Sequence, residues 1–261
     1  MRVRLIEVDY PSDPHMNLAL DEAIFLEVVN GRSPPTFRFY RNDNAVIIGC
    51  FQLASEEVDI DYAIHHDIKI AKRFTGGGAV YHDMGNINYS IIAKDSFGIG
   101  MNVGKLFSTM MGGAVDSLRN LGIDAAVGGL NDVSVNGKKI LGSAATIRSD
   151  SILFHAAVLV DTDLDVMSSV LRVPGAKLID KGATKISDRV SNIYGISGKD
   201  MKSVKDAILE GYSKALGFRY YVDELTANEE TLLRKLHREK YTRSEWNLER
   251  EFINIEANRV G

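Results

Sequence analysis

Apolar residues recur at helical spacing in some stretches of this chain and at strand spacing in others. Met16, Leu20, Ala23, Ile24 and Val28 fall on one helical face, which predicts a helix over Pro14–Val29. Thr36–Tyr40 and Ala45–Ile48 have the length and composition of strands, with a polar Arg41-Asn42-Asp43-Asn44 turn between them. Residues 55–65 read as one short helix, with Ser55 at the N-cap and Glu56 and Glu57 in the first turn. Residues 68–71 and 87–93 are strand-like runs on either side of a glycine-rich stretch. Val103, Leu106, Phe107, Met110, Ala114, Leu118 and Leu121 predict a long helix over residues 102–121, its methionines read as core filler. Asn136-Gly137 is the strongest two-residue turn signal in the chain and predicts a hairpin joining residues 133–135 to 138–145. Residues 152–160 are one more expected strand.

Beyond residue 160 the spacing turns helical, over 163–171, 203–216 and 227–241. The expected fold is mixed α/β, with hairpin-like connections and no strict βαβ alternation. Residues from about 161 onward are expected to pack as a helical cap on a sheet built by the residues before them.

Composition narrows the function by exclusion. The 261 residues suffice for one large domain or two smaller ones. A net charge of −4 argues against general nucleic-acid affinity, although Lys72, Arg73, Lys138 and Lys139 could still form one basic site. No run approaches the roughly 20 apolar residues of a membrane span. The N-terminus has no apolar core of the secretory type. A single cysteine excludes an intrachain disulfide and a cysteine-rich zinc site. These features point to the cytoplasm.

Candidate chemistry concentrates in Lys72-Arg73-Phe74-Thr75-Gly76-Gly77-Gly78-Ala79-Val80-Tyr81-His82-Asp83. Successive glycines let backbone approach a ligand without Cβ atoms in the way. Their peptide N–H groups can form an anion-binding concavity. Arg73 beside them offers fork geometry for phosphate or carboxylate. The stretch is neither the P-loop pattern nor the Rossmann glycine pattern. Composition alone leaves two readings, a phosphate-wrapping loop and a tight turn between strands.

The segment resembles the Arg-Arg-x-x-Gly-Gly-Gly-x-Val-Phe/Tyr-His-Asp-x-Gly-Asn signature of lipoate–protein ligases. Asn131-Asp132 followed by Lys139-Ile140-Leu141-Gly142-Ser143-Ala144 resembles the family's second element. His155 fits its downstream histidine, and Ser244-Glu245-Trp246-Asn247 resembles the element that closes its catalytic domain. The resemblance implies a single catalytic domain over residues 1–261, its core about 1–160 and its helical portion about 161–261. The family's fold is a mixed sheet flanked by helices, shared with biotin ligases and related to class II synthetases. The resemblance also implies ATP-dependent activation of lipoate to lipoyl-adenylate. The lipoyl group would then pass to a lysine of carrier domains, namely 2-oxoacid dehydrogenase E2 subunits and the glycine cleavage H protein. Lys139 would neutralise charge building between the lipoate carboxylate and the α-phosphate. Arg73, Gly76, Gly77, Gly78, Ala79, Val80, Tyr81 and His155 would surround the nucleotide or the adenylate. Asp132 would hold Mg²⁺, or only shape its loop. His82 and Asp83 would fix the loop, since adjacent strand residues face opposite ways.

Two departures matter. Lys72 replaces the first arginine and loses bidentate geometry. The chain also stops soon after Asn247, where many bacterial relatives continue into an accessory domain. Shorter archaeal-type ligases obtain that domain as a separate polypeptide, so an accessory protein is an expected partner. Relatives on the same fold transfer octanoyl or lipoyl groups without ATP through a cysteine nucleophile. The sole thiol here, Cys50, lies far upstream of theirs and reads as a small apolar residue after a strand. A carrier-binding protein without catalysis is the non-enzymatic alternative.

Overall fold

Both ends of the chain, and not only its middle, supply strands to the larger of two sheets. The computed structural model describes residues 1–94, 97–172 and 186–249. Strand β1 (Arg2–Ile6), helix α1 (Pro14–Val29), β2 (Thr36–Tyr40) and β3 (Ala45–Ile48) lead into α2 (Ala54–Glu57) and α3 (Ile60–His65). Then come β4 (Lys69–Lys72), β5 (Val80–His82), β6 (Asn86–Lys94), α4 (Val103–Arg119) and β7 (Ala126–Val127). After these follow β8 (Asp132–Val135), β9 (Lys138–Arg148), β10 (Ser151–Leu159) and α5 (Leu164–Val170). A 3₁₀ turn at Ile186–Asp188 precedes α6 (Ile193–Ser197), α7 (Met201–Ala215) and β11 (Arg219–Val222). Helix α8 (Ala227–Leu236) runs into a π turn at His237–Tyr241, and α9 (Ser244–Leu248) follows.

The large sheet has the order β11-β1-β2-β6-β10-β9-β8-β7, parallel among its first three strands and antiparallel beyond. The small sheet is β4-β3-β5, with β3 parallel to β4 and antiparallel to β5. One face of the large sheet carries Phe37, Phe39, Tyr89, Ile91, Phe154 and Val158, and packs on Leu106, Met110 and Leu118 of α4 and Val204, Ile208 and Tyr212 of α7. The methionines of α4 are core residues there, as their spacing implied. The other face carries Arg38, Ser90 and His155 and meets α1.

Helix α1 is buried almost all round, not along a single stripe. Its buried carboxylates each meet a cation: Asp21 with Arg38 at 2.7 Å, Glu22 with Lys240 at 2.8 Å and Glu27 with Arg32 at 2.6 Å. Buried charges are tolerated when paired and hydrogen-bonded.

The mixed α/β expectation holds, with several corrections. Residues 55–65 are two helices, because Val58 is extended and Asp59 caps the second by accepting the Tyr62 N–H at 2.9 Å. β2 and β3 do not pair with each other; the turn between them passes from one sheet to the other. β1, β5, β7 and β11 are additions to the sequence expectation. The residues beyond 161 are no single cap: α7 packs with α4, α8 packs with α1 on the opposite face, and β11 extends the sheet beside β1. The Asn136-Gly137 hairpin forms as expected, both residues at positive φ. Among the described residues, no helix is long and apolar enough to cross a membrane.

Candidate active site

β6 reads Asn86-Ile87-Asn88-Tyr89-Ser90, with polar and apolar residues alternating. On a surface strand the polar set would face water. Here Asn86, Asn88 and Ser90 are buried beneath the elements that cover this face. An inner slot runs across that polar face, lined by Leu18, Tyr40, Ile47, Asn88, Ala144 and His155 and closed by Arg73, Val80 and His82. An outer cleft is lined by Gln52, Gly128, Asp132, Ser134, Arg172 and Arg189. The two share Gly78, Ala79, Val80, Lys139, Gly142 and Ala157, so they meet at Lys139.

Three neighbours place Lys139 there. Its backbone bonds to a returning segment, N–H to the Arg189 carbonyl at 2.8 Å and carbonyl from the Ser191 N–H at 2.9 Å. A Cβ on Gly142 would lie 2.6 Å from Lys139 Nζ, so glycine makes room for the ammonium. Asp132 Oδ1 stands 2.7 Å from Nζ. Asn131 clips the loop that carries Asp132 to β9: its Nδ2 donates to the Ser143 carbonyl at 2.8 Å, and its carbonyl accepts from Ser143 N–H and Oγ at 2.9 Å.

The glycine loop is shaped by Arg73. Nε and Nη2 donate to the Gly76 carbonyl, Nη2 to the Gly78 carbonyl at 2.8 Å, and Nη1 to the Ile47 carbonyl at 3.2 Å. The fork expected to face phosphate is therefore directed at loop carbonyls. The N–H groups of Gly76, Gly77 and Gly78 donate to no protein acceptor among the described residues. Among the described residues no carboxylate pairs with Arg73, and burial lowers its pKa to about 10. Only Gly77 of the three demands glycine for its backbone: it has φ +96°, and a Cβ there would sit 2.8 Å from Arg73 Nη2.

Tyr81 lines the outer cleft, and its side chain packs in a core cluster and donates to Asn44 Oδ1 at 3.1 Å. His155 Nε2 lies 2.7 Å from Thr75 Oγ1, and Nδ1 lies 3.7 Å from Asp21. Burial lowers its pKa, with Asp21 pulling the other way. Asp83 ties its loop by accepting the N–H groups of Gly85 at 2.9 Å and Asp163 at 2.7 Å. The four candidate cations divide. Arg73 and Lys139 reach the site and Lys138 is exposed outside it. Lys72 is buried, its Nζ donating to the Glu249 carbonyl. Leu18, Tyr40, Ile47 and Asn88 escape sequence reasoning. The buried polar alternation of β6 was the available signal for Asn88.

Buried Cys50 donates its N–H to the Thr75 carbonyl at 2.9 Å, and desolvation pushes its thiol up, away from a reactive thiolate. The geometry is that of an outer cleft joined to an inner slot, with Gly78, Ala79 and Val80 of the glycine loop and one lysine, Lys139, at the junction.

Residues 13–213 match the family model of the lipoyl protein ligase A/B catalytic domain. The chain is 42% identical to lipoate-protein ligase A subunit 1 of Thermoplasma acidophilum, over 95% of this chain and 97% of that one. It is 32% identical to the octanoyltransferase LipM of Kyrpidia tusciae, over 88% and 93%. A solved structure described as a bi-partite lipoate protein ligase and its E2 lipoyl domain, also from Thermoplasma acidophilum, superposes with TM-score 0.89 at 41% identity, covering 98% of this chain and 100% of that one. A putative lipoate protein ligase of the same organism with bound lipoic acid gives TM-score 0.84 at 37% identity, covering 95% and 100%. A lipoate-protein ligase A bound with ATP gives 0.86 at 38%, covering 95% and 99%. With motifs, architecture and whole-chain similarity in agreement, the chain belongs to the lipoyl protein ligase A/B catalytic domain family.

Proposed function

We propose that this chain is an ATP-dependent, AMP-forming lipoate–protein ligase, working as one catalytic domain in the cytoplasm. The observation that carries the reading is the position of Lys139, where the inner slot meets the outer cleft. Lipoate enters tail first, its chain between Leu18, Ile47 and Ala144 and its carboxylate at Lys139. ATP lies in the outer cleft along the backbone of residues 78–81, with the Gly78 N–H, unpaired among the described residues, available to its phosphates; Gly76 and Gly77 shape the loop from outside the cleft.

A carboxylate oxygen attacks the α-phosphorus, the bond from phosphorus to the bridging oxygen breaks, and pyrophosphate leaves. Lys139 turns from Asp132 to both reacting groups and neutralises the charge that builds between them. Arg73 adds a fixed positive potential from behind the loop. In the second step a carrier lysine amine attacks the acyl carbon, loses a proton, and AMP departs.

Asp132 fits Mg²⁺. Its buried Oδ1 has no well-oriented hydrogen bond despite the nearby ammonium. One carboxylate beside substrate phosphates is the usual setting for this ion. No group of three or more acidic, histidine or cysteine ligands exists among the described residues, so the phosphates would complete its shell. Bound there, the ion would offset phosphate charge.

The similarity to subunit 1 of a two-part ligase extends the proposal to partners: a separate accessory polypeptide, and lipoyl carrier domains such as E2 and the glycine cleavage H protein. The similarity to an octanoyltransferase favours the ATP-free route, but that route needs a thiolate, and Cys50 is the only cysteine. Mass spectrometry of the protein after incubation with ATP, Mg²⁺ and lipoate tests the reading. Retained lipoyl-adenylate is expected, in wild type and Cys50→Ser alike. An acyl group on Cys50 without ATP consumption would overturn it.

A further inference from the structure

The inner slot has a polar end that the chemistry at Lys139 does not use. Four buried side chains lead to it: Arg38, Asn17 and Asn42, all at 0% exposure, and His82 at 3%. An arginine only donates. The 2.6 Å contact from Arg38 Nη2 therefore makes Asn17 Oδ1 an acceptor. Asn17 Nδ2 then donates to Asn42 Oδ1 at 2.8 Å. That leaves Asn42 Nδ2 to donate to His82 Nδ1 at 3.0 Å. A neutral imidazole accepting at Nδ1 carries its proton on Nε2. Burial keeps this ring neutral, its pKa lowered to about 3. His82 Nε2 is buried and has no hydrogen-bond partner among the described residues.

The arrangement has a direction. Tyr40, two residues before Asn42, is on β2, while Lys139 is on β9. β6 and β10 lie between them. Three strand spacings separate β2 from β9, roughly 14 Å. The bond to Asn42 ties the His82 ring to the loop that follows β2, three strands from the one that carries Lys139.

We propose that His82 Nε2–H is a donor reserved for the distal ring of the bound acid, selecting a cyclic disulfide over a plain alkyl chain. This rests on lipoate activation at Lys139. With its carboxylate at Lys139, lipoate offers the far end of the slot its two sulfurs, weak but polarisable acceptors. Octanoate offers a methyl group and leaves the buried donor unpaired. A site with a dedicated polar group disfavours the analogue that cannot satisfy it.

The test compares adenylation kcat/KM for lipoate and octanoate in wild type and His82→Phe, which keeps a ring but removes the donor. The lipoate-to-octanoate preference should fall about fivefold or more, mainly through the KM for lipoate. Equal losses for both acids, or an unchanged ratio, overturn the inference. Wild type that adenylates neither acid overturns the ligase reading instead. Should His82→Phe not fold, long-range ¹H–¹⁵N correlation on wild type decides. An Nε2–H tautomer whose signal shifts more with lipoate than with octanoate is expected. An Nδ1–H tautomer, or equal shifts, contradicts the proposal.

Discussion

Lys139 and Lys138 are neighbours in sequence and share almost nothing in environment. Lys138 is exposed at the hairpin, while Lys139 is pinned by Arg189, Ser191 and Asp132. Lys139→Ala should cut the kcat of adenylate formation about a hundredfold or more, as loss of a group acting on developing charge does. Lys138→Ala should keep most activity; pyrophosphate release measures both, and equal losses in folded variants would refute the assignment. The buried histidines give a second expectation. His82 is lowered to about 3 and His155 is lowered too, both chiefly by desolvation. Below the ordinary value of 6.5 an unfolded chain binds protons on these rings that the folded chain does not. Stability rises with pH wherever the unfolded state binds more protons. The His82 contribution is therefore complete above pH 6.5 and is lost as pH falls towards 3, and that of His155 is lost in the same direction. Urea midpoints should drop on acidification over this window, and less steeply in His82→Phe. A midpoint that rises on acidification would contradict neutral buried rings.

At the level of elements, the glycine loop is held from both sides. Arg73 grips its carbonyls from within. Behind it, α9 caps the end of β4: Trp246 Nε1 donates to the Lys72 carbonyl at 2.7 Å, and Asn247 Oδ1 accepts the Lys72 N–H at 3.0 Å. The Ser244-Glu245-Trp246-Asn247 element thus fastens the strand that leads into the loop. Gly77→Val should abolish ATP binding in calorimetry while circular dichroism shows a retained fold. A β-branched residue resists positive φ, and its Cβ would displace Arg73. Unchanged ATP affinity would mean that the glycines serve only the turn. Elements with local signals were legible in the sequence, such as the Asn136-Gly137 hairpin and the α4 spacing. β1 and β11 were not, because their parallel pairing joins opposite ends of the chain. The site divides the same way. Lys139, Asp132 and the glycine loop stood out as compact motifs. Leu18, Tyr40 and Ile47 line a slot that exists only once α1 and two sheets pack, and no local pattern marks them.

At the scale of the whole molecule, similarity to one subunit of a two-part ligase predicts incomplete activity for the chain by itself. Carrier lipoylation at fixed ATP, Mg²⁺ and lipoate should rise when the accessory polypeptide is added. If docking orders the loops around the nucleotide, adenylation should rise with it. Full turnover unimproved by any partner would contradict that dependence. The central claim is that a lipoate oxygen bonds to the α-phosphorus under Lys139. Lipoate labelled with ¹⁸O in its carboxylate follows that bond directly, since transfer to the carrier lysine must leave one labelled oxygen on AMP. With the accessory polypeptide and carrier present, AMP carrying a single ¹⁸O is the predicted product, and Lys139→Ala should yield almost none. Lipoylated carrier formed without labelled AMP, whether through an acyl group on Cys50 or a labelled inorganic phosphate, would contradict the account.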